Sequence, residues 1–192
     1  MAHGVTETRD WQRNRAMWVR VLEKQTGEGV DAWKRRIGSK RLHDERTLRA
    51  WLASQGVTGY AQSLLVMERF GYPDFVLASA DQLIDQQYAD RPQLRPIYDA
   101  IVAAAAQTGD VVIQARKTFV SLVTPRRTFA RVQPTTKMRV DLGLRLERQR
   151  PGGRLQPSTL HETMRLQVGV TAPNQVDSEV KKWLRQAYLE NS

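Results

Sequence analysis

The chain has no cysteine and only three histidines in 192 residues. That absence excludes disulfides, thiolate zinc sites, iron–sulfur clusters and cysteine nucleophiles together. Long hydrophobic runs are missing as well: the longest, residues 100–106, is far short of the roughly 20 residues that a membrane-spanning helix requires. The opening residues M-A-H-G-V-T-E-T-R-D contain no apolar stretch of the signal-peptide kind. The expectation is therefore a cytoplasmic protein with no membrane partner. Aromatic residues are scarce at 7%, and four of the five tryptophans, Trp11, Trp18, Trp33 and Trp51, fall in the first third of the chain.

What is present is enough apolar material for a packed core, 41% of residues, and a net charge of +10. The charge is unevenly placed. Residues 115–165 carry 12 Lys and Arg against three carboxylates, whereas residues 166–192 carry three of each. Positive potential gathered on one surface attracts phosphates or acidic proteins over a Debye length.

Helical periodicity organises the first 78 residues. Helices are expected over 9–25, around Val30, Trp33 and Ile37, over 44–54 and over 60–70, with Gly27, Gly38, Gly56 and Gly71 as their stops. The tryptophans suit the core of this unit. The third and fourth helices have the outline of a helix-turn-helix, but the fourth offers a groove only Gln62, Ser63 and Arg69, so a small bundle is the better reading. Residues 79–93 read as a connector.

From residue 94 the pattern changes. A helix over 94–107 precedes a candidate edge strand, Val111–Ala115. Residues 117–146 then form a three-stranded meander, with the turn at Thr124-Pro125-Arg126 and strict alternation from Met138 to Leu146. Residues 148–157 form a loop, 163–170 a further strand, and Asp177 or Ser178 caps a last helix with Val180, Trp183, Leu184 and Tyr188 inward. The fold class is α+β: an N-terminal helical bundle (1–78), a connector (79–93) and an antiparallel sheet flanked by helices (94–192).

Within that second unit, Lys117, Thr118, Val120, Ser121, Leu122, Phe129, Ala130, Gln133, Pro134, Thr136, Lys137, Arg139, Asp141, Leu142, Gly143 and Leu144 resemble a bacterial domain of unknown function. That domain is loosely labelled a predicted transport protein, and its relatives occur as tails of restriction-type nucleases. The motifs from Thr26 to Lys34 and from His43 to Leu52 resemble the small Trp-rich helical domain that often precedes it. The resemblance implies no catalytic residues.

Chemistry tested against the residues is mostly rejected. His43-Asp44-Glu45 fits helix capping better than general-base catalysis. His161-Glu162 lacks the second histidine of a zinc motif. Ser178-x-x-Lys181 lacks its companion motif, and Lys117 with Ser121 lacks an orienting third group. No catalytic residue, metal site or cofactor is assigned.

Strand parity supplies the surviving hypothesis. If Val120, Leu122, Ala130, Val132, Val140, Leu142 and Leu144 face the core, then Lys117, Phe119, Ser121, Phe129, Arg131, Arg139, Asp141 and Arg145 share the other face. Phe119 and Phe129 are then candidates for base stacking, with Arg126, Arg127, Lys137, Arg148, Arg150 and Arg154 at the rims for phosphates. The competing reading buries Phe119, Val123 and Phe129, since phenylalanine is far more often buried than displayed. The expected function is a non-catalytic nucleic-acid-binding protein. The alternative is a module, or an enzyme, that takes an anionic small molecule in a cleft between helical unit and sheet through Lys117, Ser121, Thr136 and Arg139. An acidic protein is a third partner class.

Overall fold

The computed structural model describes residues 5–8 and 11–192, with side chains from Asn14 onward. It divides into two compact units, residues 9–78 and residues 1–8 with 79–192.

The first unit is helical: α1 (Trp11–Thr26), α2 (Val30–Gly38), α3 (Glu45–Ser54), α4 (Gly59–Phe70) and the single turn α5 (Asp74–Leu77). Leu22, Trp33, Ile37, Leu48, Leu52, Leu64 and Leu65 form its core, with Trp18 and Trp51 packed at the margin. The side chain of Trp11, expected in that core, lies outside the described residues. Glu68 cross-links three helices, receiving Arg15 of α1 and Lys34 of α2, each at 2.7 Å. The Tyr72 hydroxyl donates to the same carboxylate at 2.6 Å. Burial alone would raise the Glu68 carboxyl, but hydrogen bonds from Lys34, Tyr72 and Arg15 outweigh it and hold its pKa down at about 2.

The second unit contains α6 (Ala80–Tyr88), α7 (Arg95–Ala106), α8 (Ser178–Asn191) and seven strands. These are β1 (Val5–Thr8), β2 (Val112–Ala115), β3 (Val120–Val123), β4 (Thr128–Pro134), β5 (Val140–Leu144), β6 (Gln156–Pro157) and β7 (Leu166–Val170). The order is β1-β2-β3-β4-β5-β7-β6, antiparallel except that β1 runs parallel to β2. The α+β class with an antiparallel sheet and preceding helices is what alternation and periodicity predict. Two details differ. Residues 5–8, expected within the helical domain, form a sheet strand, and β2, expected at the edge, is covered by it.

Strand parity is obeyed across the sheet. Val120 pairs with Val132, which pairs with Leu142, which pairs with Val168, and all four are buried. Helix α8 packs on β4 and β5, and α7 packs on α8. At the far end of the meander parity fails: Leu122 pairs with Ala130 but Val123 pairs with Thr128, so Phe129 is the extra residue of a bulge. A bulge re-aims the side chain at the inserted position. Phe129 accordingly turns toward α8, fully buried, edge-on to Tyr188 with ring centroids 5.6 Å apart. Met138, grouped with the buried stripe by alternation, is 70% exposed because β5 begins only at Val140.

Candidate nucleic-acid interface

The turn after β3 is built around one hydroxyl. Buried Thr124 Oγ1 accepts the backbone N–H groups of Arg126 and Arg127 at 3.2 and 3.1 Å, and its hydroxyl reaches the Asn191 carbonyl of α8 at 2.7 Å. Asn191, itself fully buried, donates its amide to the Arg145 carbonyl at 2.8 Å and to the Ala187 carbonyl at 2.7 Å. Just beyond β5, the Glu147 backbone N–H donates to Glu190 at 2.7 Å. Three segments are thereby pinned together: the β3–β4 turn, the exit from β5 and the last turns of α8.

Between them lies an open groove of about 680 Å³ lined by Arg126, Arg148, Lys182 and Arg185, with Glu147, Gln186, Glu190 and the exposed Leu189. Among the described residues these four cations have no carboxylate partner. The two carboxylates are engaged elsewhere. Glu147 pairs with Arg165 at 3.1 Å and Arg145 at 3.7 Å, while Glu190 accepts Gln186 and the Glu147 backbone. The four cations are therefore available to an incoming anion.

The other expected contacts fall into different places. Arg139 is committed to buried Asp141 at 2.9 Å, and Thr135 also donates to that carboxylate. A Cβ at Gly169 would lie 2.7 Å from the Arg139 Cδ, so the bare glycine lets this arginine cross the strand. Arg154 pairs with Asp177 at 2.6 Å and donates to the Gln175 carbonyl, bracing the start of α8. Arg145 leans on Glu147. Arg127 donates to the Glu190 carbonyl at 3.2 Å. Lys137 and Arg150 are exposed and apart from the groove, and Lys117 lines a different cavity.

Base stacking by Phe129 is overturned by its complete burial under α8. Phe119 is half-buried, and its face is covered by the Arg131 guanidinium 3.5 Å from the ring centroid. Burial lowers the pKa of Arg131. The continuous cationic sheet face expected from parity is thus broken by Asp141, by the bulge and by this stacked pair. The positive surface lies instead at the end of the sheet, beside α8.

Other sequence motifs resolve as structure. Gln62 is spent on α3, donating to the Arg49 and Val57 carbonyls and accepting from Arg49, so it cannot read a base edge. Asp44 caps α3 by accepting the Thr47 N–H at 2.8 Å, and His43 is exposed beside it. Among the described residues no three His, Cys, Asp or Glu side chains gather as metal ligands, and no helix is long and apolar enough to cross a membrane.

The model of a family described as a domain of unknown function, DUF5655, matches residues 84–191. The chain belongs to that family. No curated protein and no solved structure is matched. The four groove cations all fall within the family domain. Lys182 and Arg185 carry no signal in linear charge, because residues 166–192 hold three acids against three bases. Only the helix separates them, setting Lys182, Arg185, Gln186 and Leu189 on one stripe while Trp183, Leu184 and Ala187 face inward.

Proposed function

We propose that the domain binds nucleic acid through its phosphates, using the groove between α8, the β3–β4 turn and the exit of β5, and that it does so without catalysis. One observation carries this reading: Arg126, Arg148, Lys182 and Arg185, from three separate segments, surround a single open groove with no carboxylate partner among the described residues. Like charges so placed repel one another, and a polyanion relieves that repulsion while releasing its counterions. The groove is open and its two carboxylates, Glu147 and Glu190, are taken up by Arg165, Gln186 and a backbone N–H, so backbone contact suits it better than turnover of a small substrate. Binding follows backbone charge rather than base sequence.

In the same reading, residues 9–78 are the Trp-rich helical partner domain that Thr26 to Lys34 and His43 to Leu52 resemble, and the protein works in the cytoplasm. Its relatives as tails of restriction-type nucleases suit a domain that holds nucleic acid near an activity carried elsewhere. The test is equilibrium binding of labelled single- and double-stranded oligonucleotides across a salt series. Four phosphate contacts give a slope of log K against log salt of about −3 for single strands and about −3.6 for duplex. A flat salt dependence would refute the proposal.

A further inference from the structure

Charge that the helical unit does not use gathers at the junction of α2 and α3. Residues 34–41 hold five cations in eight positions and no acid. Two of the five are spent inside the unit: Lys34 on Glu68 at 2.7 Å, and Arg36 on Glu28 at 2.6 Å. Arg35, Lys40 and Arg41 are exposed, and no ion pair holds them among the described residues. Arg46 is exposed as well, and it follows Arg41 by five positions, so their backbones are at most about 18 Å apart. The acids of this stretch are engaged elsewhere. Glu45 pairs with Arg49 at 2.7 Å, and Asp44 accepts the Thr47 N–H at 2.8 Å, so Arg46 feels Asp44 only as an exposed charge nearby. Asp31, one turn before Arg35, makes no ion pair among the described residues.

Stability accounts for part of this pattern and not for the rest. Arg35 and Arg36 lie in the last turn of α2, where cations suit the negative end of the helix dipole. Lys40 and Arg41 lie beyond that helix, and Arg46 is the second residue of α3, where a cation opposes the dipole. The start of the loop is fixed, since the Ser39 and Lys40 N–H groups close the end of α2 on the Arg35 and Ile37 carbonyls at 3.1 and 3.0 Å. We propose that this edge of the helical unit is a second phosphate-contact surface, holding the same nucleic acid as the groove. It rests on the groove reading for the identity of the polyanion, and on its own residues for the contact. Two surfaces on one chain raise affinity through effective concentration, with no new contact at either. An anionic membrane fits less well, because interfacial binding sets an apolar face beside the cations, and every exposed side chain from 34 to 46 is polar.

The experiment is equilibrium binding of the full chain, across a salt series, to a duplex of about one helical turn and to one about four times as long. The groove's four cations set the salt slope on the short duplex, and engagement of the edge should steepen it on the long one by about 0.9 for each cation that the edge adds. Lys40→Ala with Arg41→Ala and Arg46→Ala should weaken the long duplex at least about tenfold at low salt and make its slope shallower by about 2.7, with tryptophan fluorescence unchanged. Lys40→Glu with Arg41→Glu, both outside the helices, should act in the same direction if the triple variant folds poorly. Arg41→Lys with Arg46→Lys should keep the affinity, because a phosphate contact of this kind needs the charge and not the guanidinium fork. An edge variant that binds both duplexes as the parent does, while Arg148→Glu with Arg185→Glu loses them, overturns this inference and leaves the groove reading standing. The reverse result sinks the groove reading and supports this one. Capture by phosphatidylserine vesicles that the edge variant loses, with duplex affinity unchanged, also overturns it, and a chain that binds neither duplex overturns both.

Discussion

The hydroxyl of Thr124 lies 2.7 Å from the carbonyl oxygen of Asn191, joining the turn after β3 to the last turn of α8 across 67 residues of chain. The Thr124 hydroxyl oxygen in turn accepts the backbone N–H groups of Arg126 and Arg127 in its own turn. Thr124 therefore sets where Arg126 sits relative to Lys182 and Arg185, and the groove depends on it although it touches no ligand.

Replacing Thr124 with valine keeps the shape but leaves two turn N–H groups and one carbonyl unsatisfied in a buried place. The expected cost is about 1–3 kcal/mol in urea unfolding, with Thr124→Ser recovering most of it. Oligonucleotide affinity should fall in the valine variant under conditions where it is still folded.

Phe129 makes a second test, because burial and base stacking predict different losses. Phe129→Ala should cost about 3–5 kcal/mol of stability, the cost of emptying a core site beside Tyr188. Phe129→Leu should be milder and should leave oligonucleotide affinity intact while the protein is folded. A large affinity loss in Phe129→Leu without loss of stability would restore the stacking role.

Sequence reasoning succeeded where local pattern and long-range packing agree. The period-two alternation of Val140, Leu142 and Leu144 places β5 and one of its faces, because strand side chains repeat every second residue, but the strand is buried on both faces, Asp141 and Gly143 included. At Phe129 the two readings divide: burial, which the residue type favours, holds, and the open-face placement from strict alternation does not, because one inserted residue reverses the face. Sequence reasoning fails at β1, whose four residues belong to the sheet only through pairing with β2, more than 100 positions away. The groove was half legible. Arg126 and Arg148 stand out in a stretch of strong positive charge, whereas Lys182 and Arg185 lie in residues 166–192, where three acids balance three bases. Arg139, Arg145 and Arg154 looked free because their partners Asp141, Glu147 and Asp177 become partners only through strand, hairpin and cap geometry.

The helical unit has its own pH signature. Glu68 has a folded pKa of about 2 against an ordinary value of 4.5. A depressed carboxyl contributes stability that is fully present above the unfolded pKa and is lost as pH falls toward the folded one. The unit should therefore weaken between about pH 4.5 and pH 2, followed by tryptophan fluorescence. Glu68→Gln should lower stability at neutral pH and flatten this acid transition, because Arg15 and Lys34 lose their common partner. An acid profile that is identical in the variant would show that the cross-link does not matter.

The central claim is that four cations at one end of the sheet hold a polyanion while the arginines paired on the sheet and at the start of α8 do not. The most direct measurement compares oligonucleotide affinity at fixed low salt for two double variants of the full chain. Arg148→Glu with Arg185→Glu should reduce affinity by at least about 100-fold and make the salt slope shallower by about two, while Arg139→Ala with Arg154→Ala should change affinity little once stability is matched. The account is contradicted if the groove variant binds as the parent does, or if the paired-arginine variant suffers the larger loss.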